Sequence, residues 1–225
     1  MKKTPTATVE DYLGIIYTLQ RDGEVVIGAR LAEILEVSPP TVTVTLKRML
    51  RDGWVAIDDK KHITLTPSGL EAARSVLRRH MLTEWLLSRV LHIPLSELHE
   101  EAHKIEHTLS PMVEAQLVAS MDNPEVCPHG NPLPGQETAS EKWKPLTAFE
   151  AGCTVIVRRM HELIEEDYET LSRLDRLGIQ PGNQIQISAL DKNQEFIEII
   201  VNNQKSQVAF ETATKIFAEF PPNNE

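Results

Sequence analysis

The stretch Ser38-Pro39-Pro40-Thr41-Val42-Thr43-Val44-Thr45-Leu46-Lys47-Arg48-Met49-Leu50-Arg51-Asp52-Gly53 decides the fold. Ser38 is an N-cap residue type, because its hydroxyl can accept from amides that the first helical turn leaves open. Pro39, at the first helical position, has its φ already set. Val42, Leu46, Met49 and Leu50 recur at helical spacing as a stripe for burial, and Gly53 closes the helix. Thr41, Val44, Thr45 and Arg48 fall at i, i+3, i+4 and i+7 on the other face. Small hydroxyl and methyl side chains there can approach base edges and thymine methyls, while Arg48 and Arg51 reach phosphates.

Upstream, Val9, Tyr12, Leu13, Ile16 and Leu19 predict an amphipathic helix over 8–21, ended by Arg21-Asp22-Gly23. Leu31, Ile34 and Leu35 give a second helix its apolar face. Downstream, Trp54–Ile57 and His62–Thr66 are short β-type runs around the polar turn Asp58-Asp59-Lys60-Lys61. Two helices joined by a tight turn, a third helix and a hairpin make the order of a winged helix-turn-helix. The DNA-facing set is then Ser38, Pro40, Thr41, Val44, Thr45, Arg48, Arg51 and Lys60, with Lys60 and Lys61 at the wing tip. The plain alternative is a packed three-helix module with exposed threonines; the basic-tipped wing favours DNA.

From Pro67 a long helical stretch runs to about Leu91, and residues 95–121 read as further helix. Residues 122–146 turn loop-like, with Pro124, Pro128, Gly130, Pro132, Pro134, Gly135 and Pro145. Beyond them come β-type runs at Thr154–Arg158, Gln184–Leu190, Phe196–Val201 and Lys205–Phe210, interrupted by one short helix, Tyr168–Leu177. Several short strands in so little chain suggest a small barrel. The expected organisation is α+β and multidomain: a DNA-binding domain over 1–75, a helical domain over 76–121, a linker over 122–146, and the barrel over 147–225.

The net charge of −10 argues against a nucleic-acid partner until its distribution is read. Residues 1–75 hold ten Lys/Arg and ten Asp/Glu, so the acidity lies further on, where it suits a chain that collects cations. Met1-Lys2-Lys3 is followed by no apolar h-region, and no apolar run is long enough for a bilayer, so a cytoplasmic protein is expected. Cys127 and Cys153 are the only cysteines, which suits a reducing compartment.

Five of the eight histidines fall at His80, His92, His99, His103 and His107. His99, His103 and His107 are spaced i, i+4, i+8 along one helix face beside Glu106, and His80 with Glu84 makes another i, i+4 pair. Imidazole and carboxylate projecting together suit Mn²⁺, Fe²⁺ or Zn²⁺; the plain alternative is a hydrated polar face. His99-Glu100-Glu101-Ala102-His103 also matches H-E-x-x-H, the rival reading of a zinc metallopeptidase, yet Glu106 and Leu109 stand where a metzincin needs Gly and His. Cys127-Pro128-His129 reads as a rigid turn.

With these residues in place the chain resembles the diphtheria toxin repressor/manganese transport regulator family (DtxR/MntR). The resemblance spans essentially its whole length. Its carriers are Glu10-Asp11-Tyr12-Leu13, Ser38-Pro39-Pro40-Thr41-Val42, Arg48-Met49-Leu50-Arg51-Asp52-Gly53 and Leu65-Thr66-Pro67-Ser68-Gly69. They continue with Arg79-His80, Glu84, His99-Glu100-Glu101-Ala102-His103, Glu106-His107 and Gly130-Asn131-Pro132-Leu133-Pro134-Gly135. Leu177-Gly178-Ile179-Gln180-Pro181-Gly182 resembles the SH3-like FeoA-type domain of longer members.

The resemblance implies a repressor of metal-uptake genes, not an enzyme, that binds an inverted-repeat operator as a homodimer when loaded with metal. It implies one site on Asp11, His103, Glu106 and His107 and another on His80, Glu84 and His99. Asp167 stands near the place of an acidic ligand from the C-terminal domain, and Thr170 where a Gln often assists. Asp11 matches manganese-sensing members, whereas His103 replaces Cys of iron sensors and Glu of manganese sensors. Gly14 replaces a carboxylate that two-domain manganese sensors use. The expected metal is Mn²⁺, with Fe²⁺ next and Zn²⁺ or Co²⁺ accepted in vitro. Val44 takes the place of a base-facing Gln, so readout leans on methyl contacts and DNA shape.

Overall fold

The computed structural model describes residues 4–191 and 195–222, so Met1-Lys2-Lys3 lies outside the described residues. The chain divides into two compact units at Arg79/His80.

The first unit opens with α1 (Ala7–Arg21), α2 (Gly28–Ile34) and α3 (Pro39–Asp52). The hairpin β1 (Val55–Ile57) and β2 (Ile63–Leu65) follows, and then α4 (Pro67–Leu91), which runs on into the second unit. The end chemistry of α3 is as expected. The Ser38 hydroxyl accepts from the Thr41 amide at 3.4 Å, and Gly53 closes the helix in the left-handed region at φ 82°. Val42, Leu46 and Met49 are buried, but Leu50 is 49% exposed. At 100° per residue, Leu50 falls beyond the edge of the face that Val42 and Met49 define. Those two join Leu13, Ile16, Leu19, Leu31 and Ile63 in one core, together with Trp54 and Val55 from the start of the wing. The wing strands pair antiparallel, Val55 opposite Leu65 and Ile57 opposite Ile63. The Ile63 amide also bonds the Val26 carbonyl at 2.9 Å, which ties the wing to the segment after α1.

The second unit carries α5 (Leu95–Glu106) and α6 (Pro111–Ser120). The helical stretch expected over 95–121 is interrupted between Glu106 and Pro111. Ser110 caps α6 by accepting from the Val113 amide at 3.3 Å, and Pro111 offers no amide to continue the helix before it. Six strands then build one antiparallel sheet. They are β3 (Lys144–Pro145), β4 (Thr154–Met160), β5 (Gln184–Asp191), β6 (Phe196–Val201), β7 (Gln204–Ala209) and β8 (Ile216–Glu219), ordered β3-β8-β4-β5-β6-β7. Between them lie α7 (Glu162–Glu165), α8 (Tyr168–Arg176) and α9 (Phe210–Thr214). Phe210, expected at the end of a strand, instead opens α9. Register shifts between Val157 and Arg159 and between Ile187 and Ala189 let the sheet bend around its core of Val155, Val157, Ile185, Ile187, Ile197 and Ile199. This is the SH3-like element of the fold.

The stretch 122–146, expected as a linker, is not solvated along its middle. Cys127, His129, Gly130, Asn131, Pro132, Leu133 and Pro134 are buried. The chain folds back on itself, with the Cys127 amide on the Asn131 carbonyl at 2.8 Å and the Gly130 amide on the Cys127 carbonyl at 2.9 Å. It is then pinned to β4: Met160 N–H donates to His129 O at 2.8 Å, and Asn131 Nδ2 to Met160 O at 2.7 Å. Gly130 makes that approach workable, since a Cβ there would sit 1.9 Å from the Arg158 carbonyl oxygen. No helix among the described residues is long and apolar enough to cross a membrane.

Candidate DNA-contact surface and metal centres

In the first unit α2 and α3 form the helix-turn-helix pair, and the outer face of α3 is open. Ser38, Pro40, Thr41, Val44, Arg48, Arg51 and Lys60 are exposed and Thr45 is half-buried. Val44 is the most prominent apolar group on that face at 68% exposure. Several of these side chains are already oriented. Ser38 Oγ and Thr41 Oγ1 share a hydrogen bond at 2.8 Å, and Thr45 Oγ1 donates to the Thr41 carbonyl at 3.1 Å. Arg48 Nη2 donates to Thr6 Oγ1 at 3.2 Å, which holds the guanidinium at the N-terminus of α1. Arg51 is forked onto Asp52 at 2.8 and 3.2 Å. At the wing tip Asp58 accepts from the His62 amide at 2.8 Å, a local turn that presents Lys60 and Lys61. Asp11 also lies in this unit, half-buried on α1.

The second unit gathers the other expected metal ligands. On α5 and the residue that ends it, Glu106 lies between two imidazoles, its Oε1 3.4 Å from His103 Nδ1 and 3.4 Å from His107 Nε2. The two rings stand edge to face with centroids 5.5 Å apart. Burial alone would raise the Glu106 carboxyl, but hydrogen bonds from His103 and His80 and their charge hold it down at about 2. Such a group stays anionic through the physiological range.

A second gathering joins α4, α5 and α7. Ligand atoms of His80, Glu84, His99 and Glu165 all lie within 4.8 Å of one another. His80 Nε2 is 3.3 Å from Glu84 Oε1, and His99 Nδ1 is 3.2 Å from Glu165 Oε2. None of these short approaches is a well-directed hydrogen bond. His80 Nε2, His99 Nδ1 and both Glu84 oxygens are buried without a hydrogen-bond partner. Buried polar atoms left this way are costly unless something enters among them. Their convergence fits a cation better than a polar core, and two imidazoles with two carboxylates suit Mn²⁺, Fe²⁺ or Zn²⁺. In the protein itself, burial depresses His80, yet the hydrogen bond to Glu106 and the nearby carboxylate of Glu84 raise it to about 9. Burial pushes Glu84 up, but the His129 and His80 partners bring it well below the usual carboxylate range.

The carboxylate that the C-terminal part brings beside this group is Glu165, and Asp167 is not among the grouped residues. Asp167 accepts from the Thr170 amide at 3.0 Å and from the Thr170 hydroxyl at 2.6 Å, so it serves as the N-cap of α8. His129 was expected only to shape a turn. It lies buried against the same group, with Nδ1 3.1 Å from Glu84 Oε1 and 3.6 Å from Glu165 Oε1. The H-E-x-x-H arrangement does not assemble. His99 belongs with Glu165 and Glu84 whereas His103 belongs with Glu106 and His107, and Glu100 is engaged by Lys104 at 2.8 Å.

Comparison with known proteins agrees with this anatomy. Residues 5–63 match the iron dependent repressor N-terminal DNA binding domain, and residues 66–135 the iron dependent repressor metal binding and dimerisation domain. Residues 144–220 match the FeoA domain. The chain is 37% identical over 191 residues to the iron-dependent repressor IdeR of Mycobacterium leprae, which covers 80% of this chain and 83% of that one. It is 33% identical over 208 residues to the diphtheria toxin repressor of Corynebacterium glutamicum, covering 88% and 90%. Among solved structures, the manganese regulator SloR superposes with a TM-score of 0.79 at 28% identity, over 97% of this chain and 100% of that one. A manganese-dependent transcriptional repressor in complex with manganese gives 0.82 at 27% identity, over 95% and 100%. The chain belongs to the iron-dependent repressor (DtxR/MntR) family, whose members are DNA-binding, metal-dependent transcriptional regulators and not enzymes.

Proposed function

We propose that this protein is a cytoplasmic, metal-activated repressor of metal-uptake genes that grips an inverted-repeat operator as a homodimer. The observation that carries the reading is the buried gathering of His80, Glu84, His99 and Glu165, in which His80 Nε2, His99 Nδ1 and both Glu84 oxygens are left without hydrogen bonds, in a chain with an open recognition helix. His103, Glu106 and His107 supply three ligands from the second unit, fewer than the six that Mn²⁺ or Fe²⁺ usually takes. Asp11, on the helix that precedes the reading pair, is proposed as a further ligand to that set. A cation held there would neutralise carboxylates and tie α1 to the histidine-bearing helix. With oxygen and imidazole donors, Mn²⁺ is the proposed activator and Fe²⁺ the next, with Zn²⁺ or Co²⁺ accepted in vitro.

For the dimer, Val90 and Leu91 at the end of α4 and Met112 and Val113 at the start of α6 leave large apolar side chains exposed, at 62%, 59%, 73% and 40%. Two copies of α3 would then read two half-sites related by a twofold axis. The exposed Val44 supports readout by methyl contact and DNA shape.

The test is operator binding on the gene's own upstream region with Mn²⁺, Fe²⁺, Zn²⁺ and chelator in parallel. Each tenfold gain in affinity on loading corresponds to about 1.4 kcal/mol of coupling. Asp11→Ala is expected to abolish the metal dependence and leave the fold intact. Equal binding by stripped and loaded wild-type protein overturns the reading.

A further inference from the structure

The sequence motif left unused so far is Cys127-Pro128-His129. Its side chains lie beside Glu84 in the second unit: ligand atoms of Glu84, Cys127 and His129 all fall within 4.8 Å of one another, and all three residues are buried. Glu84 therefore belongs to two groups at once, this one and that of His80, His99 and Glu165. We propose that Glu84 bridges two divalent cations, one held by His80, His99 and Glu165 and a second held by Cys127 and His129. The proposal rests on the reading that the first of these groups takes a cation.

The carboxylate itself argues for a bridge. Glu84 is fully buried, and neither of its oxygens has a hydrogen-bond partner. Its Oε1 lies 3.3 Å from His80 Nε2 and 3.1 Å from His129 Nδ1, within reach of both imidazoles. His129 Nε2 is 2.9 Å from the Leu95 carbonyl, which can only accept, so in the neutral ring the proton sits on Nε2 and the Nδ1 lone pair faces Glu84. A positive charge belongs between such a lone pair and the carboxylate, a proton in metal-free protein and a cation in loaded protein. His129 Nδ1 is also buried without a hydrogen-bond partner. Glu165 spans the same gap, its Oε2 3.2 Å from His99 Nδ1 and its Oε1 3.6 Å from His129 Nδ1. Paired carboxylates that span two cations about 4 Å apart are the usual way such centres are built.

Charge and rigidity agree. With neutral imidazoles and a Cys127 thiolate, the anionic groups are Glu84, Glu165, the thiolate and Glu166, whose Oε1 is 3.2 Å from His99 Nε2. One divalent ion leaves that assembly at −2; two neutralise it. The Cys127 proton leaves to solvent when the sulfur coordinates. The ligands are also held in place, because the turn that carries them is pinned to β4 through His129 O and the Asn131 side chain. A thiolate directs the second position toward softer divalent ions, Zn²⁺, Fe²⁺ or Co²⁺ rather than Mn²⁺.

Cobalt tests this on the full-length protein. After chelation, Co²⁺ loading and desalting, wild type is expected to retain about three ions per chain, counting the His103/Glu106/His107 centre. It should show a near-ultraviolet thiolate-to-cobalt band. Cys127→Ser is expected to retain about two and to lose the band. The electron paramagnetic resonance signal per ion in wild type should fall as the last ion enters, because a shared carboxylate couples the spins; this readout needs no variant. Two ions in wild type overturn the proposal whether or not the band appears, as does a signal that grows in simple proportion to cobalt. Retention of no ions, or metal-independent operator binding, would instead sink the regulatory reading itself.

Discussion

Gly130 is where the fold and the buried ligands meet, and replacing it with Ala gives a prediction whose size follows from geometry. Its φ of 87° places it in the left-handed region, where an Ala costs about 1–2 kcal/mol. Gly182 has nearly the same φ, 94°, but nothing lies within 4 Å of a Cβ there. The two glycines differ in what surrounds them. At Gly130 a Cβ falls 1.9 Å from the Arg158 carbonyl oxygen and 2.8 Å from the Arg159 Cα, so the backbones must separate by more than an ångström. That movement breaks the Met160 amide bond to His129 O and the Asn131 bond to Met160 O, in a place water does not reach. Each buried group left unmade adds about 1–3 kcal/mol. Gly182→Ala is therefore expected to cost about 1–2 kcal/mol, and Gly130→Ala about 4 kcal/mol or more, in the range kept for severe disruptions. For a chain of this size that means a fall in melting temperature of a few degrees against about 10 °C or more. Denaturant unfolding of the metal-free variants, read by near-ultraviolet circular dichroism, measures both. Equal losses for the two variants would refute the close approach of the turn to β4.

Two further predictions address the imidazoles and the reading face. In metal-free protein His80 and His129 are raised from the ordinary 6.5 to about 9, burial being outweighed by Glu106 and Glu84 for one and by Glu165 and Glu84 for the other. Their contribution, about 3 kcal/mol each at most, is fully present below about 6.5 and is lost as pH rises through 9. Glu106, held at about 2, contributes above its ordinary 4.5 and loses that as pH falls. Unfolding in chelator should thus give greatest stability between about pH 5 and 6.5, and a curve that climbs from pH 7 to 9 would contradict the carboxylate contacts. For Arg48→Ala, loaded protein should bind all duplexes more weakly, with a flatter dependence of log K on log salt; an unchanged slope removes Arg48 from the phosphate contacts.

The parts of this fold that were legible in sequence are those with local chemistry. Ser38-Pro39 and Gly53 announced α3 because caps are satisfied within a few residues, and Val42, Leu46 and Met49 face the core as their spacing requires. The break at Ser110-Pro111 carried the same Ser-Pro signal as Ser38-Pro39, hidden by apolar periodicity on both sides. The very short β3, two residues long, and β8, four residues long, gain their identity only by pairing with one another and with β4, which no local pattern announces. The stretch 122–146 misled for a physical reason. Proline and glycine also mark chain that is buried without regular structure, provided its polar groups are met, and here Asn131 and the backbone of β4 meet them. The same proline and glycine signals give Cys127 and His129 only a place in a rigid turn. Asp167 drew attention as an acid near the right place, yet an Asp followed three residues later by Thr at a helix start is a capping pattern. Glu165 stands only two residues earlier and has no local signal, because its role depends on where α7 packs.

The spacing that suggested a protease also explains how two gatherings come from one short helix. Residues four apart on α5 differ by about 40° in direction and about 6 Å along the axis. His99 and His103 can share a single ion only if nothing competes for them. Here α7 brings Glu165 to His99, while the next turn brings Glu106 to His103, so neighbours divide the pair. His80 then joins what α5 separates. Its Nδ1 meets Glu106 Oε2 in a very short contact, and its Nε2 faces Glu84. With Nε2 committed as a ligand, the ring proton must stay on Nδ1 and point at Glu106, which fixes that carboxylate for His103 and His107. An ion beside Glu84 would thereby be linked through one imidazole to the carboxylate that faces His103 and His107.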